Sequence, residues 1–302
     1  MNKGNKIEVS VVIVTYNTLE MTANCIESIR SHTKGINYEI ILVDNASTDG
    51  SREYFSKLND IIYVYSIYNL GFGRGNNLGV ERASGKYIFY LNSDTLLLNN
   101  AIKEFYDWME SQPEIVGCCG CILLGANNKP INSFQDIQST WYFLRQILAW
   151  YHIKTKVKYN TNVLTKLKYP LKVGFVVGAD MFIRRSCLEK CGQFDPDFFM
   201  YYEETEMQYR FHKNGYESWI IDKPKIKHLV GKSSATSNTN SQRKLINQLI
   251  SRYLYLEKTH SFVRRYLIFF IHLLYLPLLP FKRTLPGEKR DFLKIILNPF
   301  KP

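Results

Sequence analysis

The 302-residue sequence predicts an α/β protein with a mostly parallel, Rossmann-like sheet flanked by helices. Short, nearly continuous apolar runs alternate with helical segments, which is the pattern of parallel strands buried on both faces. Polar side chains directly follow the carboxyl end of each of the first four apolar runs. With 45% hydrophobic residues, the chain has enough apolar material for a large core, and its composition excludes disorder.

The first half alternates strand and helix. Strands are predicted at 9–17, 38–47, 61–69 and 86–94, and helices at 21–32, near 49–58 and at 76–84, the last after a glycine-rich loop. The second half supplies a strand at 173–185, a helix that begins near Tyr202 and a helix at 245–260. We therefore expect one domain over 1–230, with halves at about 7–97 and 98–230, and a helical extension over 231–302.

Polar side chains stand where each of the four predicted strands ends. In open α/β sheets, ligands bind beyond the carboxyl ends of the strands. We therefore expect one binding site that includes Thr15, Tyr16, Asn17, Asp44, Asn45, Asn69, Asn92, Ser93 and Asp94. Ordinary polar loops that happen to fall in step are the alternative.

The segment NLGFGRGNNLG at 69–79 lies between the third strand and the next helix. It resembles a phosphate-binding loop, although its spacing matches neither the dinucleotide fingerprint nor the P-loop. Gly71 would let the backbone approach a ligand, amides at the helix start would attract an anion, and Arg74 would add positive charge. A turn that packs tightly is the alternative interpretation.

Six segments, in this order, resemble the nucleotide-sugar glycosyltransferases of family 2, especially the branch with bacterial rhamnosyltransferases: VSVVIVTYN, ILVDNASTDGS, NLGFGRGNNLG, YLNSDT, VGADMFIRR and FDPDFFMYYEETEMQYR. The match covers roughly residues 7–230 and continues weakly to about 260. The resemblance implies a GT-A fold and a nucleotide diphospho-sugar donor across the strand ends. It also implies a divalent cation, Mg²⁺ or Mn²⁺, that bridges the donor phosphates.

The resemblance assigns roles on the donor side. Asp94 matches the last acid of the family's D-x-D motif, the metal ligand, whereas Asn92 stands where many relatives have the first Asp. Such cations need only one or two protein carboxylates beside phosphate and water oxygens. Asp44 matches an acid that contacts the base or ribose, Tyr16 the aromatic beside the base, and Asn77 the Asn of the glycine loop. A turn cap for Asp44 and a core-capping aromatic for Tyr16 are the alternatives.

The acceptor side is expected in the second half. Glu203, Glu204 and Glu206 crowd a predicted helix start. Glu204 falls at the family's catalytic base, where relatives usually have Asp, and the resemblance implies that it takes the acceptor's proton in a single displacement with inversion. His228, in IKHLVGKSS, resembles the family's His-x-x-Gly-x-Ser segment and is a candidate contact to metal or diphosphate. Helix-capping charge and a structural histidine are the alternatives.

The C-terminal extension is both basic and apolar. Residues 251–302 hold ten Lys and Arg against three Asp and Glu, and 16 apolar-rich residues lie between two basic pairs over 264–283. This stretch is shorter than the ~20 residues of a membrane span. We expect residues 262–302 to lie on the inner membrane leaflet, which together with the resemblance suggests a lipid-linked saccharide acceptor. A helix packed on the catalytic domain or in a homodimer is the alternative.

Other features narrow the class. The first apolar run breaks at Thr15 without a cleavage site, so we expect a cytoplasmic protein at the membrane surface. The six cysteines lack disulfide spacing and are expected to be buried thiols, with a metal cluster as the alternative. The net charge of +12 lies with apolar residues, which argues against nucleic acid. A nucleotidyltransferase and a non-catalytic nucleotide-sugar-binding protein remain alternatives to a transferase.

Overall fold

The computed structural model describes residues 6–137, 164–229, 238–263, 265, 266 and 270. In these parts of the chain the helices are α1 (Leu19–His32), α2 (Ser51–Phe55), α3 (Phe72–Val80), α4 (Ala101–Glu110), α5 (Arg185–Cys191), α6 (Glu203–Lys213) and α7 (Asn238–Thr259). The strands are β1 (Val9–Thr15), β2 (Tyr38–Asn45), β3 (Ile62–Ser66), β4 (Tyr87–Leu91), β5 (Thr95–Leu97), β6 (Val116–Cys121), β7 (Phe134–Gln135), β8 (Leu171–Val173), β9 (Phe175–Val176), β10 (Asp180–Arg184), β11 (Glu217–Ile221) and β12 (Ile226–His228).

Eight strands form one sheet in the order β3-β2-β1-β4-β10-β6-β11-β8. The pairs β1–β2, β1–β4 and β2–β3 are parallel, as the alternating pattern predicted. β10 is antiparallel to β4 and β6, and β8 is antiparallel to β11, so the second half of the sheet is mixed. The pairs β5–β12 and β7–β9 form small antiparallel sheets. The predicted α/β class is confirmed.

Both faces of the large sheet are covered. Val11 and Ile13 of β1 pack in one apolar cluster that includes Ile29 of α1 and Phe105 of α4. On the other face, Val12 belongs to a second cluster with residues of α3, α5 and α6. This alternation along one strand is what the period of two in a strand requires. The strand is buried on both sides, which explains why its sequence is almost continuously apolar.

The glycine-rich segment and the strand expected at 173–185 differ from the sequence prediction. The helix expected at 76–84 begins at Phe72, inside the glycine-rich segment. The strand expected at 173–185 is divided into β8, β9 and β10. Gly174 lies at the first interruption, where a Cβ atom would stand only 2.1 Å from the backbone nitrogen of Ile137. Close contact with another chain segment therefore bends the backbone out of one continuous strand.

The cysteines are all buried and free. Burial raises the pKa of the Cys118, Cys119 and Cys121 thiols on β6 well above the usual value. Their thiols therefore stay protonated and unreactive at neutral pH. The prediction of buried strand thiols is confirmed.

Helix α7 packs on the rest of the chain through an apolar cluster of its own, formed by Phe198, Tyr253, Tyr255 and Leu256. The helix predicted at 245–260 corresponds to α7, which begins earlier in the chain, at Asn238. Among the described residues, no helix has the length and apolar character needed to cross a bilayer. Of the predicted membrane-surface segment at 262–302, only positions 262, 263, 265, 266 and 270 are described; the rest lies outside.

Candidate active site

The predicted strand-end residues lie on one edge of the sheet. Thr15 at the end of β1 stands opposite Asp44 at the end of β2, in parallel register. β4 runs parallel beside β1 and carries Asn92, Ser93 and Asp94 just beyond its end. The amide of Asn92 donates to the carbonyl of Ala179 at 3.1 Å, which brings the second half of the chain to the same edge.

Asp94 and His228 form a polar pair at this edge. His228 lies opposite Thr95 in the β5–β12 pairing, and the amide of Leu229 donates to the Asp94 carbonyl at 2.9 Å. The Nε2 atom of His228 lies 3.1 Å from Oδ1 of Asp94. The Asn92 amide nitrogen lies 3.5 Å from the same Nε2. The fold therefore joins two residues that are far apart in the sequence and that the motif pattern had named together.

The donor atoms at this pair fit a divalent cation in part. A carboxylate and a side-chain amide offer oxygens that suit Mg²⁺ and Mn²⁺, and imidazole is a further ligand that Mn²⁺ accepts. Within the described residues, no group of three or more His, Cys, Asp and Glu side chains could hold a metal ion. Asp94 and His228 would therefore hold a cation together with ligand oxygens, as phosphate-bound cations are usually held.

The glycines of the 69–79 segment face protein. Gly71 has a φ of +80°, and a Cβ atom there would lie 2.1 Å from the Phe199 carbonyl oxygen. That carbonyl accepts a hydrogen bond from the Phe72 amide at 3.0 Å. At Gly79, a Cβ atom would lie 2.5 Å from Val12 on β1. These glycines let α3 pack closely, which supports the alternative interpretation, and contact of this segment with a phosphate stays a prediction.

The side-chain amides near this segment hold the backbone. Asn45 donates to Asn69 at 3.0 Å and to the Gly71 carbonyl at 3.1 Å, and accepts from the Leu70 amide at 2.8 Å. Asn69 in turn accepts from the Gly71 amide at 2.9 Å. Both amides were expected to contact the donor, but here they shape the loop that leads into α3.

Asn77 and Arg74 on α3 also contact backbone. Asn77 donates to the Phe194 carbonyl at 2.8 Å and accepts from the Phe194 amide at 3.1 Å, so both amide atoms are used. Arg74 is exposed, and its Nε donates to the Leu70 carbonyl at 2.8 Å. Asn77 therefore links α3 to the second half of the chain, and its contact with the donor stays a prediction.

Asp44 is completely buried. One carboxylate oxygen accepts from the Ser47 amide at 2.8 Å and the other from the Tyr63 hydroxyl at 2.7 Å. Burial and the bond to Asp44 raise the pKa of Tyr63, which keeps that hydroxyl a donor. The turn-cap alternative thus describes the contacts of Asp44 in this structure, and its contact with the donor stays a prediction.

Tyr16 and Asn17 lie beyond the end of β1. Tyr16 keeps 49% of its surface exposed, so its ring is accessible to a planar ligand. Asn17 has a φ of +53° and accepts a hydrogen bond from the Thr48 amide at 2.7 Å, which ties the loops after β1 and β2 together. Tyr16 is the aromatic residue of the predicted donor set that the fold leaves available for stacking.

A buried hydroxyl cluster lies under this edge. The Thr15 hydroxyl lies 2.9 Å from that of Thr18 and 2.8 Å from that of Thr22. The Thr18 hydroxyl lies 3.3 Å from that of Ser93, next to Asp94. Sequence analysis missed Thr18 and Thr22, although their spacing after a strand end places both on one face of α1. The cluster anchors the Asp94 loop to α1.

The acidic cluster at the start of α6 contains three different environments. Glu206 accepts from Arg210 at 2.8 Å and is an ordinary ion pair. Glu203 is 4% exposed, its Oε2 atom has no hydrogen-bond partner, and burial together with the Glu204 charge raises its pKa well above the usual value. Glu204 is half-buried, and burial raises its pKa also. Glu204 is thus the acid of the three that combines partial exposure with a raised pKa.

Gly178 and Ala179 connect this cluster to the strand-end edge. A Cβ atom on Gly178 would lie 3.3 Å from the Phe72 ring and 3.8 Å from Cβ of Glu204. The Gly178 amide also lowers the pKa of Glu204, against the larger effect of burial. Since the next residue, Ala179, accepts from Asn92, this dipeptide lies between the Asp94 loop and Glu204.

Residues 195–202, here called the strap, precede Glu203. The strap ends with Tyr201 and Tyr202, whose φ angles of +73° and +69° place two aromatic residues in the left-handed region. Each such conformation costs on the order of 1–3 kcal/mol and needs support from its surroundings. Sequence analysis did not find this feature, because bulky aromatic residues rarely adopt it.

Comparisons with known proteins match this sequence to one family. The model of the family described as glycosyl transferase family 2 matches residues 10–192. An uncharacterized glycosyltransferase of Rickettsia bellii is 35% identical over 105 residues, which cover 34% of this chain and 15% of that protein. The low-salt glycan biosynthesis hexosyltransferase Agl10 of Haloferax volcanii is 27% identical over 208 residues, 67% of this chain and 61% of that protein. The matched regions thus span less than two thirds of the length of either relative.

A solved structure supports the same fold. The mannosyltransferase PcManGT of Pyrobaculum calidifontis, in complex with GDP-Man and Mn²⁺, superposes with a TM-score of 0.58 at 15% sequence identity. The superposition covers 99% of this chain and 82% of that protein.

Proposed function

Because the chain belongs to glycosyl transferase family 2, we propose that it transfers a sugar from a nucleotide diphospho-sugar to a saccharide hydroxyl during glycan assembly. The observation that carries the proposal is the pairing of Asp94 with His228 at the strand-end edge, with the Gly178–Ala179 dipeptide leading from there to Glu204. A carboxylate–imidazole pair for the diphosphate and a second acid for the acceptor are the two functions that sugar transfer needs.

On the donor side, Asp94 and His228 would hold a divalent cation, with Asn92 beside them. When bound, the cation neutralises charge that develops on the diphosphate leaving group. Tyr16 stacks on the base, for which its exposed ring is suited. Asn45 and Asn69 act indirectly, because they fix the loop on which the donor rests. We retain Asp44 as a support of this loop through Ser47 and Tyr63.

On the acceptor side, Glu204 takes the proton of the attacking hydroxyl. Burial raises its pKa, which makes it a stronger base than an exposed carboxylate, while nearby backbone amides keep part of that increase in check. Glu203 is more deeply buried and holds its proton more firmly. Glu204, the partly exposed acid of the two, is therefore the proposed base, and the proposed attack is a single displacement that inverts the anomeric carbon.

A specific donor and a specific acceptor are also proposed. Rhamnose from dTDP-rhamnose is the donor to test first, because the six motifs resemble the rhamnosyltransferase branch; UDP-hexoses are the alternative. The acceptor is proposed to be a lipid-linked saccharide at the inner membrane leaflet, contacted through residues 262–302. The basic charge of residues 251–302 and the glycan-assembly role in the name of the relative Agl10 support this proposal.

A donor panel tests the proposal. The protein is incubated with dTDP-, UDP- and GDP-sugars, with Mn²⁺ or Mg²⁺ and a saccharide acceptor, and release of nucleoside diphosphate is followed. We expect release from one donor class that requires the cation and is lost in Asp94→Ala. Glu189→Gln on α5, which changes an exposed acid away from the edge, is the matched control. Release that is equal in wild type and Asp94→Ala for every donor would refute the proposed site.

A further inference from the structure

The strap at 195–202 is held from two sides, and one side is helix α7. Lys258 lies 2.7 Å from the Asp195 carboxylate and 2.6 Å from that of Asp197. Ser251 donates to the Met200 carbonyl at 2.8 Å. Helix α7 therefore contacts the strap at both of its ends.

The last strap residue, Tyr202, receives the most specific contact. The Nε of Arg252 donates to the Tyr202 hydroxyl at 3.0 Å. The Tyr202 ring also packs against Tyr255 of α7, with ring centroids 5.6 Å apart. Tyr202 is the residue that caps α6, and Glu203 and Glu204 follow it directly.

The other side of the strap contacts the donor half. The Phe199 carbonyl accepts from the Phe72 amide at the start of α3, and Gly71 leaves room for that carbonyl. The strap thus lies between the glycine-rich segment and α7. Because Tyr201 and Tyr202 are left-handed, the direction in which α6 starts depends on these contacts and not on the local backbone preference.

We propose that helix α7 positions the general base through the strap, and that Arg252 and Tyr202 are the positioning residues; this inference rests on the proposed role of Glu204. Neither side chain has to touch the substrate. Their hydrogen bond fixes the cap from which Glu204 projects. The C-terminal helix is then part of the catalytic apparatus, and anything that displaces it changes the rate of transfer.

The test is a double-mutant cycle on this hydrogen bond. Tyr202→Phe removes the hydroxyl and keeps the ring, and Arg252→Met removes the donor at similar length. We expect each to lower kcat by about tenfold, short of the ~10²-fold loss for a base misplaced by 1 Å. The double variant should lose less than the two single losses combined, because both substitutions remove the same hydrogen bond. Arg252→Lys should recover part of the rate, and Glu257→Gln, an exposed change on α7, should match wild type.

The pH profile separates positioning from a loss of folded protein. Burial is the main cause of the raised pKa of both Glu203 and Glu204, and the Glu204 charge raises the pKa of Glu203 further. A loosened strap admits water, so the acid limb of kcat should move to lower pH in Tyr202→Phe and Arg252→Met. A smaller folded fraction would scale the profile without moving it, and that result would overturn the inference.

Glu204→Gln, measured in parallel, distinguishes failure of the positioning role of α7 from failure of the proposed function. If it is inactive while Tyr202→Phe and Arg252→Met retain wild-type kcat and an unmoved acid limb, the inference fails and the proposed function stands. If Glu204→Gln itself turns over like wild type, the proposed function fails first.

Discussion

Replacing Glu204 with Gln is expected to stop transfer while the protein stays folded. The substitution keeps the size of the side chain and removes the ability to accept a proton. General-base catalysis contributes typically ~10²–10⁴ in rate, which corresponds to about 2.7–5.5 kcal/mol in the activation free energy. A carboxylate that only complements the helix N-terminus contributes about 0.3–1 kcal/mol to stability. Loss of a general base therefore lowers kcat, whereas loss of a helix-capping charge lowers the stability of the fold.

The assay compares kcat, donor affinity and Tm for wild type and two variants. For Glu204→Gln we predict near-normal donor affinity and a kcat at least ~10²-fold lower. Glu206→Gln is the matched control two residues further along, because that acid pairs with Arg210, whose guanidinium also contacts the Gln193 carbonyl at 2.6 Å. It should lower Tm and keep kcat within a few-fold of wild type. A Glu204→Gln rate within about threefold of wild type, beside an inactive Glu206→Gln, would show that the base is another acid of this cluster.

The direction of the pH dependence follows from the same residue. The pKa of Glu204 is raised by burial from its ordinary value of 4.5. The base is active when ionised, so kcat should fall as pH falls through this raised pKa. The acid limb should therefore lie above pH 4.5 in wild type and disappear in Glu204→Gln. An acid limb below pH 4.5 that survives in the variant would contradict the assignment.

Asp94→Ala should abolish transfer and cation-dependent donor binding in calorimetry while the circular dichroism spectrum is unchanged; near wild-type turnover would exclude Asp94 as a metal ligand. Gly71→Ala should destabilise the fold by at least about 2 kcal/mol more than Gly35→Ala in urea unfolding, because both glycines have positive φ but only Gly71 faces a carbonyl at 2.1 Å. Equal losses would show that the contact with Phe199 is not needed. Removing residues 262–302 should shift the protein from membrane to soluble fractions and reduce activity on a lipid-linked acceptor more than on a soluble analogue, whereas unchanged fractionation would favour a packed helix.

The local sequence pattern was sufficient to predict which edge of the sheet carries the site. Strand-end chemistry and the parallel alternation predicted the edge that carries Thr15, Asp44 and Asp94, because these features depend on the period of the strand and on chain order. The motif resemblance named His228 beside the metal position, and the β5–β12 pairing places it 3.1 Å from Asp94. The strand-end pattern and the motif resemblance can both be recognised in short segments of the sequence.

The meaning of the glycines and amides was not available from local pattern. Gly71 is required by the Phe199 carbonyl, and Asn77 is used by the Phe194 backbone, both more than one hundred residues away in the chain. A glycine that faces a ligand and one that faces a distant backbone segment look the same in sequence. The left-handed Tyr202 was also hidden, because it is stabilised by α7 and not by its neighbours.

The anomeric configuration of the first product tests the central claim most directly. The wild-type protein is supplied with Mn²⁺ and the donor that the panel identifies, and the sugar released to acceptor or water is followed by proton NMR before it equilibrates. A single displacement driven by Glu204 predicts a product with the configuration opposite to that of the donor. A product that retains the donor configuration would contradict it.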